Sequence, residues 1–155
     1  SMGNGTVIRA GEVQRMTAGT GVLHSEVNHS EDEELHLLQI WIVPERKNLE
    51  PGYEQTLFAR EDKLNRLRLI GSNDGRDGSI TIHQDVDLFA SVLEAGNEVT
   101  LDDVADRRIF VQVVSGELDV NGEKLSAGDG AQIRHAAQII AKSESDAEFL
   151  LFNLA

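Results

Sequence analysis

Cysteine is absent from the 155 residues, which excludes disulfides, thiol catalysis and Cys-ligated zinc. Basic residues are scarce: 14 Lys and Arg against 27 Asp and Glu leave a formal charge of −13. That balance argues against direct nucleic-acid binding, which needs a basic face, and it repels anionic membranes. No apolar run approaches bilayer-spanning length, and residues 1–20 contain no signal-peptide h-region. These features fit a cytoplasmic protein with no direct nucleic-acid or membrane partner. Catalytic signatures are missing too: there is no H-x-H, no H-E-x-x-H helix, no phosphate loop and no serine nucleophile elbow. Any transition metal must therefore be held by His, Asp or Glu.

What remains is enough for a core, with 40% hydrophobic residues in a length suited to one ordinary domain or two very small ones. Most segments read as strands. The first sixteen residues read as a turn at Gly3, Asn4 and Gly5, a short strand from Thr6 to Arg9, a turn at Ala10 and Gly11, and another strand. HLLQIWIV, residues 36–43, is apolar on both faces, which predicts cover on both sides and places Trp41 in the core. SITIHQDVDL alternates, with Ile80 and Ile82 opposite Thr81, His83 and Asp85. RIFVQVV is again apolar on both faces. Asn121-Gly122 predicts a hairpin within GELDVNGEKL. QIIA and EFLLFNLA complete the strands, and turn signals every eight to twelve residues suggest a sandwich or small barrel. One short helix is expected within AREDKLNRLRLI, where Leu64 and Leu67 are three apart and Glu61 and Asp62 stand near its start.

The chemical candidates are few. His24 and Glu26 are two apart, so a strand would aim both at one spot, half of a metal site. Taken alone, the pair is more simply an exposed or mutually hydrogen-bonded strand motif. His29 falls five after His24 and faces away in a regular strand, and His36 opens a core strand. The acidic run SEDEE, 30–34, lacks the spacing of a calcium loop and reads as a solvated turn. Together with these acids, His24, His29 and His36 offer only a weak trap for adventitious zinc or nickel. His83 reads as strand-to-loop hydrogen bonding at a junction between units.

GVLHSEVN, 21–28, matches G-x-x-H-x-x-x-N, and RMTAGTGVLHSEVN, LHLLQIWIVPE, PGYEQ and RDGSITIHQDV follow one another in order. Together these resemble the pirin family of two-cupin proteins, from Ser1 to Ala155. The resemblance implies an all-β, cupin-type fold: a partial N-terminal cupin at 1–56, a connector with the short helix at 57–78 and a complete C-terminal cupin at 79–155. It implies a single metal, usually iron or another divalent ion, in the N-terminal cupin of intact members. The ligands there are the two histidines of an H-x-H, which falls upstream of Ser1, and the His and Glu matched by His24 and Glu26. The chain is thus expected to be shortened at its N-terminus. The second cupin is expected to hold no metal, because Ile139 and Ile140 stand near the position of a cupin histidine, a few residues after His135.

Bacterial pirins resemble quercetin 2,3-dioxygenases in activity. With only His24 and Glu26, no catalytic residue and no bound cofactor are expected in this chain. The reading is a non-catalytic binding or oligomerising remnant, a homodimer or homo-oligomer through its incomplete N-terminal cupin, with a protein partner as a further role. The alternative is an iron-dependent dioxygenase whose missing strands come from a longer chain or a partner.

Overall fold

The computed structural model describes residues 5–155, so Gly3 and Asn4 of the first predicted turn lie outside the described residues. Two-sided hydrophobicity organises the fold. In β12, Ala147–Leu154, the odd positions Ala147, Phe149 and Leu151 enter one core, while Leu150, Phe152 and Leu154 enter another. In β7, Arg108–Ser115, Ile109, Val111 and Val113 join the first core and Phe110 the second. Such strands are stable only when both faces are covered.

These two strands lie side by side within a six-stranded sheet ordered β10-β7-β12-β5-β3-β4, comprising also β3 (Arg68–Ser72), β4 (Ile80–Thr81), β5 (Val86–Leu93) and β10 (Gly130–Arg134). All its pairings are antiparallel except β3 with β4. Across the first core lies a four-stranded sheet ordered β6-β11-β8-β9, formed by β6 (Glu98–Asp102), β8 (Glu117–Val120), β9 (Glu123–Ser126) and β11 (Gln138–Lys142). Val99, Leu118, Val120, Ile139 and Ala141 from this sheet meet Leu93, Val111 and Phe149 of the larger one. The result is the predicted all-β cupin sandwich. Asn121 and Gly122, at φ 51° and 95°, close the predicted β8–β9 hairpin in the left-handed region that a two-residue loop requires. Between β7 and β8, a Cβ on Gly116 would lie 2.1 Å from the Asp146 carbonyl oxygen, so only glycine fits.

The second core lies on the outer face of the larger sheet. Phe58, Ile70, Ile80, Leu88, Ala90 and Phe152 fill it, with Val13 packed against them. Val13 belongs to a two-stranded hairpin of β1 (Glu12–Thr17) and β2 (Gly52–Leu57). Glu54 fastens the hairpin down: its Oε2 accepts from Arg15 Nη2 at 3.0 Å and from the Thr81 N–H at 3.2 Å. Phe58 N–H also donates to the Gly11 carbonyl at 2.9 Å, across the predicted Ala10-Gly11 turn.

The expected short helix forms as α1, Arg60–Lys63, within the stretch read for it, while several other expectations are corrected. Asn65 stops the helix, at φ 52°, by donating its N–H to Val92 O at 2.7 Å and accepting the Glu94 N–H on Oδ1 at 2.9 Å. The span read as a connector contributes β3 to the larger sheet. The strand read through 79–88 is interrupted: Gln84 N–H bonds to Ile82 O and Val86 N–H to Gln84 O, which separates β4 from β5. No strand forms at Thr6–Arg9 or at 36–43. The latter has no paired strand among the described residues, and its apolar residues other than half-buried Ile42 stay exposed, Trp41 at 87% rather than in a core.

Candidate functional site

Residues 18–51, between β1 and β2, carry most of the histidines and form no strand. Gly19, at φ 54°, opens the segment beside Leu49 and Pro51, where an added Cβ would meet the Leu49 carbonyl at 2.2 Å. His24 and Glu26 follow, both exposed, so strand geometry does not fix them on one face. His29 and His36 are exposed as well. The acidic stretch is the predicted solvated turn, shaped by two side chains. Asn28 Oδ1 accepts the Ser30 N–H at 3.1 Å, and Ser30 Oγ accepts the Glu33 N–H at 2.9 Å. Among the described residues, no group of three or more His, Cys, Asp or Glu converges on one point. A cation at His24 and Glu26 would receive one imidazole and one carboxylate from this chain. Iron, nickel or zinc in a protein needs three or more such donors to be retained, so these residues do not by themselves fit a held metal ion.

The end of the segment is anchored by the IHQD stretch. Glu45 N–H donates to the His83 carbonyl at 2.8 Å and Gln84 Nε2 to the Val43 carbonyl at 2.9 Å. The His83 contact to this segment is made by its backbone carbonyl. His135 is exposed, at φ 59°, on the turn from β10 to β11. Ile139 is 1% exposed in an apolar core, and a side chain there without a donor atom offers nothing to a metal.

Sequence reading missed three charged constellations, each of which has at least one partner from a different element of the fold. Arg107 forks onto Asp85 with both Nη atoms at 2.9 Å and reaches Asn153 Oδ1 through Nε at 2.8 Å. The Arg107 hydrogen bond holds the Asp85 carboxyl below its usual range, against a smaller opposing effect of desolvation. Arg76 bridges Asp87 at 2.7 Å and Asp74 at 3.1 Å. The Arg76 N–H, followed by its guanidinium and the Ser72 hydroxyl, keeps the Asp74 carboxyl low. Lys63, 9% exposed, pairs with Glu148 at 3.2 Å and ties α1 to β12.

The sandwich geometry agrees with that of solved relatives. Residues 69–154 match the family described as "Quercetinase C-terminal cupin domain" and residues 1–42 match "Pirin". The chain belongs to the pirin family. Among pirin relatives, the quercetin 2,3-dioxygenase of Escherichia coli K12 is 44% identical over 154 residues, covering 99% of this chain and 65% of the relative. A putative quercetin 2,3-dioxygenase of Pasteurella multocida is 41% identical, covering 99% of this chain and 66% of the relative. The crystal structure of YhhW from Escherichia coli superposes with a TM-score of 0.92 at 44% identity, over 100% of this chain and 65% of that one. The bacterial pirin YhhW in complex with nickel(II) gives 0.87 over 95% of this chain and 62% of that one. This pirin sequence therefore spans about 65% of the length of the curated relative from E. coli K12. Among the described residues, no helix is long and apolar enough to cross a membrane.

Proposed function

We propose that these 155 residues are non-catalytic on their own: a cupin unit that carries half of a divalent-metal centre and associates through the face left open around it. The observation that carries this reading is the donor set. His24 and Glu26 match two ligands of the pirin pattern, yet they stand exposed, and among the described residues no third donor joins them. Two bonds leave an ion hydrated and exchangeable, so no reaction step is assigned to it here. The exposed apolar side chains of residues 35–43, among them Leu37, Ile40, Trp41 and Val43, support association, with a second copy as the occupant. The acidic charge supports a setting without direct nucleic-acid or membrane contact, and with the absence of cysteine it suits the cytoplasm.

The test is metal content. The purified chain, loaded with iron(II) or nickel(II) and then desalted, is expected to retain well under one ion per chain, and His24→Ala is expected to change little. Close to one ion per chain, lost in His24→Ala, would overturn the reading.

A second reading is favoured by the 44% identity to a protein named quercetin 2,3-dioxygenase. Strands from outside these residues, in a longer chain or a partner, would complete the ligand set around His24 and Glu26 and yield a metal-dependent dioxygenase. Quercetin consumption that arises only when those strands are supplied, and fails in Glu26→Gln, would favour it over the first.

A further inference from the structure

The cleft where the turn before β1 meets α1 and the start of β12 has no assigned role. It measures about 380 Å³ and is bounded by Gly11, Phe58, Lys63, Val92 and Ala147, a size that suits a small ligand. Its apolar wall is firm: Phe58 is 2% and Ala147 3% exposed. Its polar groups are unevenly engaged. Lys63 Nζ has three N–H donors and gives one to Glu148 Oε1, at 3.2 Å. Arg60 is exposed on the rim and makes no side-chain hydrogen bond or ion pair among the described residues. The two acids of the cleft are occupied instead, Glu148 by Lys63 and Asp146 by the Ala95 N–H at 3.1 Å.

We infer that this cleft binds a small amphipathic monocarboxylate, such as a one-ring aromatic acid. The free guanidinium and the spare donors of a nine-tenths-buried lysine supply charge-assisted hydrogen bonds to one carboxylate. Ala10, Ala59 and Val92, the accessible apolar residues of the lining, receive the apolar body, backed by buried Phe58 and Ala147. Two acidic side chains, Asp146 and Glu148, also line the cleft, which disfavours a more highly charged anion such as phosphate. Nothing in the inference depends on His24, Glu26 or a metal.

The probe is benzoate, titrated into the full chain at constant ionic strength and followed by amide NMR. Saturable shifts are expected at Gly11, Lys63, Val92 and Ala147, with none from uncharged benzamide over the same range. Arg60→Gln, an exposed change that spares the fold, is expected to weaken binding about tenfold, the loss of one charge-assisted hydrogen bond. Lys63→Gln is expected to weaken it further, but breaks a buried pair, so the decision rests on Arg60→Gln. The inference is overturned by the absence of saturable shifts or by equal binding of benzamide. It is equally overturned by an unchanged affinity in Arg60→Gln, or by phosphate saturating the same amides more tightly than benzoate.

Discussion

At the scale of single residues, charge placement is informative where two elements are held by one side chain. Arg107 joins the residue before β5, Asp85, to the end of β12 through Asn153. Because the Asp85 carboxyl is more acidic when folded, its ionised form favours the native state. That contribution is present above the ordinary value near 3.8 and is lost as pH falls below it. Asp85 is 58% exposed, so solvent screens the pair and about 0.2–1 kcal/mol is expected from it. Urea unfolding of Asp85→Asn should therefore show a lower midpoint than the parent at pH 7 and nearly the same midpoint at pH 3. Equal differences at both pH values would assign the loss to packing instead. The histidines make the complementary point. His24 was singled out by its neighbours in the sequence, but its ligand role depends on how many donors reach the same point.

At the scale of elements, strands covered on both faces were legible because β7 and β12 announce themselves by apolar residues at odd and even positions alike. The β8–β9 hairpin was legible because Asn-Gly suits left-handed φ at both turn positions. The sequence did not disclose that Asn121 also extends the neighbouring ladder: its Oδ1 accepts the Ile140 N–H at 2.7 Å and its Nδ2 donates to the Gln138 carbonyl at 3.1 Å. Asn121→Gly keeps the turn conformation and removes both bonds, so it should destabilise by about 1–2 kcal/mol in thermal or denaturant unfolding. A neutral result would show that water replaces the side chain at β11. The shortness of the helix has a local cause as well. Leu64 and Leu67 have helical spacing, but Asn65 finds better partners in Val92 and Glu94, across the fold.

At the scale of the whole molecule, the acidic chain divides into a filled sandwich and an open flank. The sandwich buries Leu93, Val111, Phe149 and their neighbours almost completely, whereas Trp41 and Val43 stand 87% and 80% exposed. Burial of such side chains stabilises by roughly 1.5–3 kcal/mol each, a strong incentive to associate despite a charge of −13. Sedimentation at micromolar concentration is expected to find a dimer or larger species. Trp41→Asp should shift it towards monomer without moving the unfolding transition of the C-terminal sandwich. A parent chain that sediments as a clean monomer would remove the oligomerising part of the proposal.

The sequence by itself determined the all-β class, the cupin kinship, the tight hairpin and the lack of any H-x-H within these residues. Those properties reside in alternation, turn chemistry and residue identity, all of which are local. Tertiary structure alone decided that 36–43 has no strand partner among the described residues and that β3 belongs to the large sheet. It also decided that Lys63 lies buried against Glu148, at the edge of a cleft. Each of these outcomes depends on which distant segment arrives to supply a hydrogen-bonding edge, an apolar cover or a counter-charge, and spacing along the chain carries no record of that arrival.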